Sequence, residues 1–234
     1  MNILVSGGAS GLGESITKRL SKDLNNKVYF TYNSSFGSAT RISNEFANTI
    51  PIKCDFRKKE EVKELTALVQ GIDLDVLINN AYCGEYLQSY FHKQSPGDYL
   101  DSFIENIIPV IELTQTAIDC FRIKKKGKII TVLTSALKDS PPIGSSIYIA
   151  NKAYLERLTK VWAKENAKFN ITSNSVSPSF MQTRLTSGID QRIVEQITEQ
   201  RSSKELLKVE EVAEVINFLV RDHQKLNGVD IPMD

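Results

Sequence analysis

Short apolar runs at residues 2–7, 27–32, 50–54, 75–79, 128–135 and 171–176 recur along the chain, and most stretches between them place apolar residues three and four positions apart. The short runs have the length of buried strands, the longer stretches the period of amphipathic helices. That alternation predicts an α/β fold, a parallel sheet with helices on both faces. No linker, repeat or low-complexity tract divides it, so residues 1–234 read as a single domain. Residues 178–208, rich in Gln, Ser, Thr and charge, read as a mobile loop able to cover a ligand.

Composition then narrows the class. At 234 residues and 41% hydrophobic the chain can bury a sizeable core. Its 29 basic and 28 acidic side chains give a net charge of +1, which argues against a nucleic-acid or membrane-surface partner. Cys54, Cys83 and Cys120 are widely spaced, and the histidines are His92 and His223, so neither a disulfide framework nor a metal site is expected. No secretory leader pattern opens the chain and no apolar run has bilayer-spanning length; the expected location is cytoplasmic.

Candidate chemistry begins at SGGASGLGESITKRL, residues 6–20, directly after the first strand. Gly7, Gly11 and Gly13 permit a tight turn, and the following helix points unpaired amides into it, a setting for phosphate. A second candidate is the pair Tyr148 and Lys152, four apart on a predicted helix and hence on one side of it. A free phenol has a pKa of about 10. A cation held about 4 Å from the phenolate at an effective dielectric near 20 is worth roughly 4 kcal/mol. That is on the order of three pKa units, enough to bring the phenol into working range.

SGGASGLG, the Asn-Asn-Ala of 79–81 and YIANK at 148–152, in that order, resemble a short-chain dehydrogenase/reductase, and in particular 3-oxoacyl-carrier-protein-reductase-like members. Ser135, thirteen residues before Tyr148, and SPSFMQT at 177–183 extend the resemblance to nearly the whole chain. It implies a Rossmann-like doubly wound sheet and an NAD(P)-dependent oxidoreductase acting on a ketone or secondary alcohol, with a 3-oxoacyl group among the substrates. Tyr148 would be the general acid or base, Lys152 its partner and a ligand of the nicotinamide ribose, Ser135 the holder of the substrate oxygen, and Asn106 the keeper of a helix distortion, with Pro109 suited to a bend there. Gly7, Ser10, Gly11, Leu12 and Gly13 would line the pyrophosphate turn. Asp55 would meet adenine or cap the next helix. Asn79 and Ala81 would pass the adenine ribose, and Thr183 would touch the carboxamide or cap a helix.

The residues after the second strand, Tyr32, Asn33, Ser34 and Ser35, include no carboxylate to grip a ribose 2′-hydroxyl, so NADP is expected over NAD, with Arg41 as a cation able to reach back. Tyr82 and Ser179 stand where the family pattern has glycine, and the C-terminal NGVDIPMD also departs from it. KKKGK at 124–128 reads as a solvated turn. Tyr82, Tyr86, Tyr90, Phe91, Phe180, Met181 and Leu185 suit a medium-sized, partly apolar substrate. The resemblance further implies a homo-oligomer, dimer or tetramer; Leu155, Leu158 and Trp162 would form its seam or face the sheet. The rival reading is a nucleotide-binding sensor that keeps the fold without redox turnover. A nucleotide-sugar epimerase or dehydratase would need a larger C-terminal substrate domain than this length provides.

Overall fold

The computed structural model describes residues 1–86, 89–138, 141–200, 204–221 and 225–234; His223 and residues 201–203 of the 178–208 segment lie outside this set. In chain order the elements are β1 (Asn2–Val5), α1 (Gly11–Ser21), β2 (Lys27–Tyr32), α2 (Phe36–Glu45), β3 (Thr49–Lys53), α3 (Lys59–Gly71), β4 (Val76–Asn79), α4 (Pro96–Asn106), α5 (Ile108–Lys124), β5 (Gly127–Val132), α6 (Ser146–Asn166), β6 (Ile171–Pro178), α7 (Gln191–Gln200), α8 (Val209–Val220) and β7 (Asp230–Met233). The strands form one sheet in the order β3-β2-β1-β4-β5-β6-β7, every pair parallel. The expected doubly wound Rossmann-like sheet is present.

Alternation along each strand sends side chains to two cores. Ile3 and Val5 of β1, Val28 and Phe30 of β2 and Val76 and Ile78 of β4 pack with α1, α2 and α8. Leu4, Tyr29 and Leu77, at the intervening positions, pack with α3, α5 and α6. Each fully buried aliphatic of this kind contributes roughly 1.5–3 kcal/mol. Leu155 and Trp162 belong to the second core, so that face of α6 meets the sheet and forms no seam.

Three features differ from the sequence reading. The edge strand β7 was not anticipated: it has four residues, contains Pro232 and is only half buried, so it lacks the apolar run of a central strand. It is held by Asp230, whose Oδ1 accepts from the hydroxyls of Ser175 (2.8 Å) and Ser177 (2.7 Å). Residues 178–208, read as a mobile loop, contain the helix α7, with Val194 and Leu207 buried. Lys128, read as part of a solvated turn, is buried and donates to the carbonyl oxygens of Val220 (2.9 Å) and Arg221, placing a cation on the C-terminal end of α8. Lys124 does remain on the surface, paired with Asp73 and Asp75.

Candidate active site

A cleft of about 610 Å³ opens at the carboxyl ends of the strands, with β1 and β4 at its centre, where the winding of the sheet reverses. Gly7, Ser10, Gly11, Leu12 and Gly13, the residues Asn33 and Ser34 after β2, Ala81, Ser135, Tyr148, Lys152 and Thr183 all line it. Asp55, Asn79 and Asn106 do not.

The glycine turn is a cradle that side chains would fill. A Cβ on Gly13 would sit 2.0 Å from the Gly7 oxygen, and Gly7 itself has φ +66°. The turn is stitched to both neighbouring strands: Gly7 N donates to Thr31 Oγ1 (2.8 Å), and Ser6 Oγ accepts from the amides of Asn80 (2.9 Å) and Ala81 (3.0 Å). Ser10, at the N-terminus of α1, makes no side-chain cap, so its hydroxyl faces the cleft uncommitted to the helix. Open backbone, a helix N-terminus and hydroxyl donors fit the pyrophosphate of a dinucleotide.

Asn79 requires correction. Its Nδ2 donates to Thr114 Oγ1 of α5 at 3.0 Å, on the opposite side of the sheet from the glycine turn. Asn80 lines the cleft instead, its Nδ2 donating to the backbone oxygens of Ser6 (2.9 Å) and Gly7 (3.3 Å). Strand alternation carries the signal: Asn79 shares the parity of Leu77 and therefore its face.

At the end of β2 the absence of a carboxylate stands, but Arg41 does not reach back; it pairs with Glu14 and Ser38. The lining cation at this end of the cleft is Arg57, which the sequence reading missed within a basic run at a helix start. Its Nε and Nη2 donate to the two carboxylate oxygens of Asp55 at 2.9 and 2.7 Å. Asp55 is consequently held at a pKa of about 2, chiefly by Arg57, with Asn33 adding a hydrogen bond. Asp55 does not cap α3, whose N-cap is Lys58; its carboxylate closes a local turn onto Arg57 N (3.1 Å).

The proton-transfer candidates converge at the far end of the cleft. Tyr148 is 7% exposed and Lys152 4%. The expected approach of ammonium to phenol oxygen is not what the structure holds. Lys152 Nζ donates to the Val132 oxygen at 2.7 Å and lies 5.7 Å from the Tyr148 ring centroid. Burial lowers Lys152 to a pKa of about 8. Burial, followed by the neighbouring phenols of Tyr86 and Tyr82, pushes Tyr148 far above the ordinary phenol range, against a hydrogen bond with Thr134 that acts the other way. Ser135, expected to hold the substrate oxygen, opens the short 3-10 turn Ser135–Leu137 on the cleft wall. Tyr82 and Tyr86 meet the Tyr148 ring edge to face, with centroids at 5.0 and 4.8 Å.

Asn106 ends α4 where Ile107 (φ −104°, ψ −48°) separates it from α5. Its Oδ1 accepts from Cys83 N (2.6 Å), and its Nδ2 donates to Cys83 O (3.1 Å) and Ser102 O (3.0 Å). It pins the segment after β4 from behind, at the expected helix break but off the cleft lining. Thr183 lines the cleft beside Gly11 and accepts at its carbonyl from Thr186 N (3.2 Å). Of the aromatic and apolar residues expected around a substrate, Tyr82, Tyr86, Phe180, Met181 and Leu185 line the cleft, while Tyr90 and Phe91 are exposed elsewhere. Among the described residues no cluster suited to a metal ion occurs and no helix is long and apolar enough to cross a membrane. Cys54, Cys83 and Cys120 are free thiols.

The family model described as enoyl-(acyl carrier protein) reductase matches residues 7–234. The acetoacetyl-CoA reductase of Synechocystis is 28% identical over 218 residues, 93% of this chain and 87% of that protein. The 3-oxoacyl-(acyl-carrier-protein) reductase of Staphylococcus epidermidis is 28% identical over 229 residues, 95% of this chain and 92% of that one. A solved short-chain dehydrogenase/reductase family protein superposes with a TM-score of 0.88 at 24% identity, covering 100% of this chain and 95% of that one. A short-chain dehydrogenase from Burkholderia cenocepacia, solved with NADP, gives 0.86 at 24% identity, covering 99% and 95%.

Proposed function

From the premise that the chain belongs to the enoyl-(acyl carrier protein) reductase family of short-chain dehydrogenase/reductases, we propose that it is an NADPH-dependent reductase of a medium-sized, partly apolar ketone, with 3-oxoacyl thioesters in its range. The convergence of Ser135, Tyr148 and Lys152 on the cleft that begins at the glycine turn carries this reading. The names of the Synechocystis and Staphylococcus relatives support the substrate class.

The amides at the start of α1 and the Ser10 hydroxyl would hold the pyrophosphate, Arg57 and Ser34 the adenosine end, and Lys152 and Thr183 the nicotinamide end. When bound, the nicotinamide supplies the hydride. Ser135 Oγ orients the substrate oxygen by donating to it from the start of the 3-10 turn that follows β5. As negative charge grows on that oxygen, Tyr148 Oη passes it a proton. The high pKa that burial gives Tyr148 suits this direction, because the phenol keeps its proton until a stronger base forms beside it. The Lys152 ammonium then lowers the cost of the phenolate left behind. Tyr82 and Tyr86 exclude water from the phenol.

The nucleotide-sensor alternative is not favoured, since all three proton-handling side chains reach the cleft. The protein works as a cytoplasmic homo-oligomer in this reading, supported by the exposed apolar side chains Leu100, Ile104 and Ile108 along α4 and α5 and Tyr154 and Val161 on α6. The test is loss of NADPH absorbance with acetoacetyl-CoA and a panel of neutral ketones, repeated with NADH. Turnover above that of Tyr148→Phe, and faster with NADPH, is expected; no turnover of any carbonyl defeats the redox assignment.

A further inference from the structure

Tyr82 occupies the fourth place of an Asn-Asn-Ala-Gly pattern, where the resembled motif has no side chain at all. Here the half-buried ring packs against both members of the proton-transfer pair. Its centroid is 5.0 Å from that of Tyr148 at an interplanar angle of 76°, and Lys152 Nζ stands over its face at 5.6 Å. Burial raises the pKa of its hydroxyl, and the polar side chains of Ser102 on α4 and Asn151 on α6 oppose that rise. Those two are themselves joined, Asn151 Nδ2 donating to Ser102 Oγ at 2.9 Å, and Asn106 Nδ2 donates to Ser102 O from the end of α4.

Lys152 is a buried cation whose pKa burial lowers, and no carboxylate among the described residues offsets that shift. One of its three donors goes to Val132 O. The titratable groups facing it are the phenols of Tyr148, from its own helix, and Tyr82, from the segment after β4, with Tyr86 beyond against Tyr148. A desolvated ammonium without a counter-ion is stabilised by the negative face of an aromatic ring.

We infer that Tyr82 is a positioning residue for the Tyr148–Lys152 pair: its ring keeps Lys152 protonated in a site without an anion, and its hydroxyl faces Ser102 of α4 and Asn151 of α6 at the level of that pair. The inference rests on the redox reading for its consequence, since the charge of Lys152 matters to turnover through Tyr148. Its physical content is the protonation of Lys152, which can be measured without any carbonyl substrate.

The experiment compares the full-length protein with Tyr82→Phe, which keeps the ring, and Tyr82→Leu, which keeps apolar bulk without a π face; Tyr82→Met replaces the leucine variant should it fail to fold. NADPH is an anion and Lys152 lines its cleft, so binding weakens as Lys152 loses its proton. The readout is NADPH affinity against pH, followed by cofactor fluorescence. Losing the ring lowers the pKa of Lys152, so the midpoint of weakening moves down by about one pH unit in Tyr82→Leu. In Tyr82→Phe it stays in place, while the lost hydroxyl appears as a lower melting temperature. Equal midpoints in all three proteins overturn the inference. Absence of carbonyl turnover in the wild type would instead remove the redox reading and leave the binding result to decide the role of Tyr82.

Discussion

The Lys152 ammonium donates to the Val132 carbonyl oxygen across 2.7 Å rather than to the phenol one helical turn away. The lysine is therefore anchored to the strand end, and its charge acts on Tyr148 through space. That geometry makes the electrostatics of the pair a matter of burial first. With Lys152 lowered to about 8, half of its charge is gone near that pH. The phenolate that Tyr148 becomes on giving up its proton is stabilised only by the charged form. The turnover number for ketone reduction is thus expected to be flat at neutral pH and to fall as pH rises through about 8. Initial rates at saturating NADPH and ketone from about pH 6 to about pH 10 provide the check. A rate that stays level across that window contradicts the role given to Lys152.

The same shift has a consequence for stability. A base whose pKa is lower folded than unfolded is bound to fewer protons in the native state, so stability rises with pH between the two values and is at its lowest below both. For Lys152 those values are about 8 and 10.5, a difference worth about 3 kcal/mol at neutral pH. Lys152→Met removes that penalty and loses one hydrogen bond to Val132 O, worth about 1 kcal/mol. The variant is expected to be inactive yet more stable than the wild type at pH 7, by roughly 2 kcal/mol. Urea denaturation at neutral and strongly alkaline pH would show the advantage shrinking as pH rises; a variant less stable at neutral pH would contradict a buried, uncompensated ammonium.

Replacing Tyr148 by Phe deletes the proton and keeps the ring that Tyr82 and Tyr86 pack against. Turnover is expected to fall roughly a hundred- to ten-thousandfold. NADPH affinity, which the proposed function assigns to the glycine turn and Arg57, is expected to stay within a factor of about two, because a lost phenol proton leaves uniform binding untouched. Fluorescence titration beside steady-state rates separates the two quantities. A parallel loss of binding would place Tyr148 in cofactor retention rather than proton transfer.

How much of this was legible in the sequence follows from the range of each interaction. Apolar alternation is local, so six of the strands and both faces of the sheet could be read directly, while β7, short and half exposed with a proline, could not. The glycine turn and the Tyr148–Lys152 pair were legible because each spacing is carried by a single element, Ser135 and Thr183 came from the family resemblance, and the structure brings all of them to one cleft. Asn79 was misplaced against Asn80, though strand parity already separated them. Lys128 looked solvated because its partners, the carbonyls of Val220 and Arg221, lie some ninety residues on. Thr134, Arg57 and the packing of Tyr82 on Lys152 depend on side-chain direction and long-range approach, which no local pattern encodes.

Cofactor choice turns on one of those long-range arrangements. Among the described residues lining the cleft, Arg57 and Lys152 are the cations, and only Arg57 stands with Asn33 and Ser34 at the end to which the proposed function assigns the adenosine. It is held there by both oxygens of Asp55, which it also neutralises. Arg57→Leu therefore does two things at once. It removes a donor for a 2′-phosphate and leaves the Asp55 carboxylate, behind the cleft lining, uncompensated. An uncompensated negative charge nearby disfavours the 2′-phosphate. A charge-assisted contact is worth about 1.5–3 kcal/mol, so the ratio of NADPH to NADH affinity should drop roughly ten- to a hundredfold. Arg41→Leu is the matched control, because Arg41 is spent on Glu14 and Ser38 off the cleft lining, and the ratio should stay unchanged. Titrating both variants with both cofactors decides it: a ratio that moves with Arg41 and not with Arg57 would return the phosphate site to α2.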